Sequence, residues 1–276
     1  MTKKVTTKST TGKDEGTRVY IVGDSPLVEE YAELCASKGY DVFVRWNKAP
    51  KPAPNFSTSS IRSAAAPVPR ISVAIELSIN DAVLKQKNLI KLDDALAPTA
   101  PILSSSVLVS ATEQSGWIKG KHRLVGISAL PSFSKHGIVE TAPTVYTPKE
   151  TVDVVQRFFR SLAKEIEVVQ DRVGMVLPRI LCQLVNEATF AVQDDVATPQ
   201  DIDTAMKLGT NYPVGPLECA NAVGFQTVYS VLSAIQNDLH EERYRISPLL
   251  KMLAQTGEWW KKSDASTASM LRHSTG

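Results

Sequence analysis

The sequence has no apolar run approaching the ~20 residues of a membrane-spanning helix, so a helical membrane protein is not expected. Met1 to Thr17 are polar, rich in Lys and Thr, and carry no apolar signal core, so secretion is not expected either. Cysteine is scarce. Cys35, Cys182 and Cys219 are scattered, odd in number and without metal-ligand spacing, which argues against a disulfide framework or a metal site. They read as reduced thiols, and the expected location is the cytoplasm. Charge of one sign is also lacking: the formal net charge of +2 is too small to suggest nucleic acid or a membrane surface as partner. No internal repeat is visible. What remains is an ordinary globular composition, 43% hydrophobic and 22% charged over 276 residues, enough for two domains with cores of their own.

Residues 1–16 read as a disordered arm. Arg18-Val19-Tyr20-Ile21-Val22, ended by Gly23-Asp24, has the look of a buried parallel strand. A helix from Pro26 to Ser37, capped by Gly39, and a strand Val42-Phe43-Val44 complete a βαβ unit. Residues 47–69 are rich in Pro, Ala and Ser and read as an irregular connection. Further strands are expected at Val73 to Leu77, Ile102-Leu103, Leu124 to Gly126, Ile138 to Glu140 and Glu167 to Val169, with a helix over Ala82 to Leu96. Thr147-Pro148-Lys149-Glu150 fits a capping box opening another helix. After Gly174 the pattern is helical only: residues 177–194, a helix capped by Thr198 and ending near Gly209, one from Val223 to Leu239, and one starting at Ser247-Pro248. Alternating strands and helices followed by helices alone predict an α/β Rossmann-like N-terminal domain and an all-α C-terminal domain. The expected extents are 17–170 and 171–263, with a flexible tail over 264–276.

The helical half carries a specific motif, Asp201-Ile-Asp-Thr-Ala-Met-Lys-Leu-Gly209 followed by Pro213-Val-Gly-Pro-Leu-Glu218, with Asn186-Glu187-Ala188 before it and Val223-Gly224 after it. In these residues the sequence resembles the 3-hydroxyacyl-CoA dehydrogenases, and the likeness extends more weakly from about residue 18 to 257. Physically, Pro213 and Pro216 around Gly215 predict a rigid, non-helical connection, and Asp203 and Glu187 read as structural carboxylates. The resemblance implies NAD or NADP as cofactor, an acyl thioester as substrate, and a homodimer formed through the helical domain.

The resemblance also places the site residues, and several positions depart from the family pattern. Of the three glycines of a dinucleotide loop only Gly23 is present; Ser25 and Val28 take the other two places, and Asp24 puts a negative charge beside the expected phosphate. The acid that should hold the adenosine ribose is Trp46. Arg45 and Lys48 beside it would suit a 2′-phosphate, or are simply a solvated basic strand end. Near the nicotinamide ribose the family Glu is Asn80, and the Lys is kept as Lys85. The cofactor-binding candidates are therefore Gly23, Ser25, Arg45 and Lys85. In Gly126-Ile-Ser-Ala-Leu-Pro-Ser132 the catalytic His position is Ser128, while its partner Glu is kept as Glu140 at the family spacing of twelve. These two are the catalytic candidates. A Ser hydroxyl cannot shuttle protons near neutral pH as an imidazole does. The substrate-binding Asn falls on Pro178 and the substrate Ser on Val107, or on Ser106 with a one-residue gap. His122 and His136 are alternative proton shuttles or surface histidines. The expected function is an NAD(P)-dependent oxidoreductase of 3-hydroxyacyl thioesters with impaired catalysis. The alternatives are a non-catalytic acyl-CoA-binding, nucleotide-binding or assembly protein, and NADP-dependent reduction through Ser128 and Glu140.

Overall fold

The structure is a computed structural model and describes residues 17–257; the expected arm over 1–16 and the tail over 264–276 lie outside them. The α/β half builds one eight-stranded sheet in the order β3-β2-β1-β4-β5-β6-β7-β8. Its strands are β1 (Arg18–Gly23), β2 (Asp41–Trp46), β3 (Ile61–Ser63), β4 (Ile71–Leu77), β5 (Ile102–Ser105), β6 (Leu124–Ile127), β7 (Ile138–Pro143) and β8 (Glu165–Val168). The strands from β3 to β6 pair in parallel; β7 runs antiparallel to β6, and β8 parallel to β7. Both neighbours of β1 leave it in opposite directions, so the strand order reverses there and opens a crevice beyond the C-terminal strand ends.

The period of two along β1 sorts its side chains between two cores. Val19 and Ile21 pack with Leu27, Val28 and Tyr31 of α1 (Leu27–Ala36), in a cluster that runs on into the helical half through Cys182, Val228 and Leu250. Tyr20 and Val22 face the other way, onto Leu89 and Leu92 of α2 (Ala82–Ala95). Each such side chain, fully buried, contributes ~1.5–3 kcal/mol. A short α3 (Ala111–Ser115) and α4 (Lys149–Ser161) complete this half. The helical half comprises α5 (Leu177–Gln193), α6 (Pro199–Thr210), α7 (Pro216–Val223), α8 (Phe225–Leu239) and α9 (Pro248–Thr256).

Four local expectations differ from the structure. The Pro/Ala/Ser-rich stretch is irregular except for β3, which adds to the sheet beside β2. The capping box at Thr147 does not form: the Thr147 hydroxyl donates to Leu124 O (2.8 Å) and Pro148 is the cap residue, with no side-chain cap. The expected non-helical connection ends earlier than expected, because Pro216 opens α7 at a first-turn position where its missing N–H costs nothing. The short α3 had no apolar periodicity to announce it, and it is capped by Ser110.

Candidate active-site crevice

The turn after β1 begins at Gly23, whose φ is +156°; a Cβ there would lie 2.5 Å from the carbonyl carbon of Leu77 on β4. Glycine is required because two strand ends meet that closely. Asp24 then ties three strand ends together. Its carboxylate accepts from Asn47 Nδ2, just past β2 (2.8 Å), and from the Ile79 N–H, just past β4 (3.1 Å). Ser25 and Pro26 follow, and α1 starts without a side-chain cap. Glu29 and Glu30 occupy its first turn, the positive end of the helix dipole. Glu29 accepts from Trp46 Nε1 (3.0 Å), and Trp46 stacks on Phe56 at 6.1 Å between centroids. Glu30 accepts from the Ser132 N–H (2.8 Å). Gly23 and Ser25 thus share a turn that contains Asp24 and leads into Glu29 and Glu30 of α1.

Arg45 and Lys85 meet elsewhere, at opposite ends of a polar network beneath the crevice. Arg45, half-buried, donates to Asn88 Oδ1 on α2. Asn88 Nδ2 donates to Asn47 Oδ1 (2.9 Å), Ser78 Oγ (3.1 Å) and Glu76 Oε1 (3.3 Å). Glu76, fully buried on β4, forms an ion pair with Lys85 and accepts from the Ser78 N–H (3.1 Å) and Ser104 Oγ (3.3 Å). Lys85 also donates to Ser78 O (3.0 Å) and is 4% exposed. Lys48 is exposed. The residue that sequence reasoning passed over is Glu76. A single acid inside the apolar run Val73 to Leu77, nine residues before a lysine at a helix start, was its signal.

Ser128 and Glu140 are neighbours through the backbone, the Ser128 N–H donating to Glu140 O (3.1 Å). The Glu140 side chain faces elsewhere. It is 8% exposed, and its carboxylate accepts from the N–H groups of Val176 (3.1 Å) and Leu177 (2.6 Å) at the start of α5. These are orphan donors of a helix N-terminus, a position that favours a carboxylate. Ser128 is half-buried. His136 is exposed, stacked on Phe133 at 4.6 Å, and ends the turn before β7. His122 approaches Pro98 O at 3.2 Å. Neither histidine joins Ser128 and Glu140. Pro178 is buried in the first turn of α5. Ser106 is buried, bonded to Ser104 O and Gln114 Nε2 (both 3.1 Å). Val107 instead lines a cavity of about 90 Å³ at the ends of β4 and β5, together with Ser78, Asn80, Lys85 and Ser105. The Ser105 hydroxyl there is buried with no partner among the described residues.

In the helical half Asp203, Gly215 and Asn186 are joints, whereas Glu187, expected to be structural, has no side-chain hydrogen bond or ion pair among the described residues. Asp203 accepts from the N–H groups of Leu217 (2.8 Å) and Glu218 (3.0 Å), capping α7 from α6. Burial pushes its carboxyl above the usual range, against the pull of those two donors. A Cβ on Gly215 would collide with the Asp203 carboxylate, so the Gly in Pro-Val-Gly-Pro makes room for the cap. Asn186 donates to Arg245 O (2.9 Å) and accepts from the Ser247 N–H (2.9 Å), holding the link between α8 and α9. Glu187 is exposed. Asp171 receives the N–H groups of Ala111 (2.8 Å) and Thr112 (2.6 Å) and so ties α3 to the segment that leads into the helices.

A doubly wound sheet with a crevice at its switch point, followed by a helical region packed on one face, defines the architecture of a dehydrogenase with a separate helical domain. Residues 174–269 match the family model "3-hydroxyacyl-CoA dehydrogenase, C-terminal domain". A 3-hydroxybutyryl-CoA dehydrogenase of Bradyrhizobium diazoefficiens is 28% identical over 69% of this chain and 65% of its own length, so the match spans just under two thirds of that relative. One of Clostridioides difficile is 29% identical over 79% of this chain and 78% of its own. In fold, the chain is similar to the (S)-3-hydroxybutyryl-CoA dehydrogenase of Ralstonia eutropha (TM-score 0.74, 23% identity, 87% of this chain and 94% of that one). It is likewise similar to FadB2 of M. tuberculosis (TM-score 0.78, 20% identity, 88% and 95%). The helical half thus matches the C-terminal domain of the 3-hydroxyacyl-CoA dehydrogenases, and the whole chain is similar to members of that family in sequence and in fold.

Proposed function

We propose that this chain is a 3-hydroxyacyl-CoA dehydrogenase-like protein in which hydride transfer is impaired, leaving binding or assembly as its main capacity. The observation that carries this reading is the placement of Glu140. Its carboxylate is engaged by the Val176 and Leu177 N–H groups (3.1 and 2.6 Å), and the position that should present an imidazole to it is Ser128. A hydroxyl ionises far above neutral pH and does not replace the family's acid/base.

NAD or NADP is the cofactor that similarity to this family suggests, and the crevice at the strand-order reversal is where a dinucleotide would lie. A pyrophosphate needs N–H donors and positive charge at the turn after β1. Here Asp24 lies in that turn, Glu29 and Glu30 follow in the first turn of α1, Lys85 is paired with Glu76, and Arg45 donates to Asn88. These groups do not fit a pyrophosphate.

An acyl thioester and a second copy of the chain are the partners this reading retains. Val176, Ile180, Leu208, Tyr212 and Val214 on the helical half are apolar side chains at least 40% exposed, which supports a homodimer formed there. Among the described residues no helix is long and apolar enough to cross a membrane, and the cytoplasm is the location proposed. Spectrophotometric assay of acetoacetyl-CoA reduction with NADH and with NADPH tests the reading. The expected kcat/KM is below about 10 M⁻¹s⁻¹ with both; a value within the ordinary enzyme range of about 10⁴–10⁸ M⁻¹s⁻¹ would overturn it.

A further inference from the structure

The crossover from β3 to β4, which passes over β2 and β1, is unusual. Residues 64–70 carry it with no helix, so the sheet face behind β1 and β2 is roofed only by this loop and by α2. A cavity of about 250 Å³ lies between them. It shares no lining residue with the cavity of about 90 Å³ at the ends of β4 and β5. Its walls are mainly apolar, with Val22 and Leu92 at the bottom and Ala66 and Pro67 at the mouth. Its charged groups are two cations and one acid. Arg45 enters from β2 and Lys91 from α2, and neither has a carboxylate partner among the described residues. The one acid that lines it, Asp94, is exposed and leans 3.9 Å from Lys119 instead. The Tyr20 hydroxyl already donates to Ala64 O (3.2 Å), and Asn88 is engaged by Glu76, Ser78 and Asn47.

A half-buried guanidinium that donates to the neutral Asn88 amide and stands against the Tyr20 hydroxyl, beside apolar walls, has no carboxylate to match its charge and is placed to take an anion. We propose that this cavity is a binding site for a small amphipathic organic anion, with an apolar body against Val22, Leu92 and Pro67 and a single carboxylate or phosphate on Arg45 and Lys91. At the ~30 Å³ that each water occupies, the volume corresponds to roughly eight waters, which sets the ligand at about ten non-hydrogen atoms. Arg45 offers a planar fork to the acid group, and Lys91, exposed at the rim, a mobile point charge. The inference does not depend on whether the crevice holds a dinucleotide.

The experiment is an NMR titration of the ¹⁵N-labelled full chain with 4-methylbenzoate, phenyl phosphate and the neutral 4-methylbenzamide. Saturable shifts at Tyr20, Val22, Ala66 and Leu92 are expected with the anions at a Kd of about 1 mM or below, and binding of the amide about tenfold weaker. The tighter of the two anions identifies the acid group. Arg45→Met should weaken the anions about tenfold. If Arg45→Met does not fold, Lys91→Met, on the exposed face of α2, should weaken them by about threefold and flatten the salt dependence. Absence of saturable shifts at about 10 mM anion, shifts confined to Ser78 and Lys85 in the crevice, or equal affinity for the amide would each overturn the proposal.

Discussion

In the helical half, the residues that carry the family motif have definite partners and structural tasks. Asp203 caps α7, Gly215 leaves space for that cap, and Asn186 fastens the link into α9. At the C-terminal strand ends, the charged side chains at and beside the positions of the family chemistry are also taken up by structural contacts, whether the family residue is kept or not. Asp24 ties strand ends together, Lys85 neutralises Glu76, and Glu140 caps α5. The comparison shows that a family motif can be kept entirely by the demands of the fold. Buried donors and acceptors need partners whether or not a reaction takes place. The strength of the likeness in the helical half therefore speaks for architecture, and the crevice has to be read on its own residues.

The comparison breaks if Lys85 is a cofactor residue first and a structural one second. Lys85→Met leaves Glu76 buried without its cation, and a loss of about 3–5 kcal/mol in urea unfolding is expected. A change within about 0.5 kcal/mol would return Lys85 to the crevice. Asp203→Ala strands the Leu217 and Glu218 N–H groups; a loss of about 2 kcal/mol is expected, and less for Asp203→Asn, which keeps one acceptor oxygen. Glu140→Ala tests the same device inside the crevice. A loss of about 1–2 kcal/mol, with faster amide exchange at Val176 and Leu177, would place Glu140 beside Asp203 as a cap.

The smallest effect concerns Asp93, a carboxylate outside both regions. Burial alone would raise its pKa, but the Arg123 guanidinium and the N–H groups of Gly120 and Lys119 outweigh burial and hold it below the usual range. A carboxylate depressed on folding contributes stability above its unfolded value of about 3.9, and that stability is lost as pH falls through the lower folded value. Thermal unfolding followed from about pH 5 to 2 should show a shallower acid limb in Asp93→Asn than in the parent chain.

The sheet was legible because its strands are short apolar runs ended by turn residues, as at Val19 to Gly23, and because helices alternate with them. The start of α6 was legible because Thr198 caps locally, accepting from the Asp201 N–H (3.2 Å). Interactions between distant segments were not. Glu140 meets α5 36 and 37 residues away, and Asp203 meets α7 14 and 15 residues away, so neither cap leaves a local pattern. Pro216 misled because proline stops a helix from within and starts one at its first turn, and only the partner of the first turn distinguishes the two cases. At Thr147 a local capping pattern lost to the Leu124 carbonyl on β6, a competitor visible only once the sheet exists.

The central proposal is that the turn from Gly23 to Pro26, which holds Asp24 and is followed by Glu29 and Glu30, does not hold a dinucleotide pyrophosphate. Calorimetric titration of the purified chain with NADH, repeated with NADPH, tests it directly. The account predicts no saturable heat below about 1 mM of either cofactor; a Kd of about 10 µM or tighter for either would contradict it and restore a working oxidoreductase crevice.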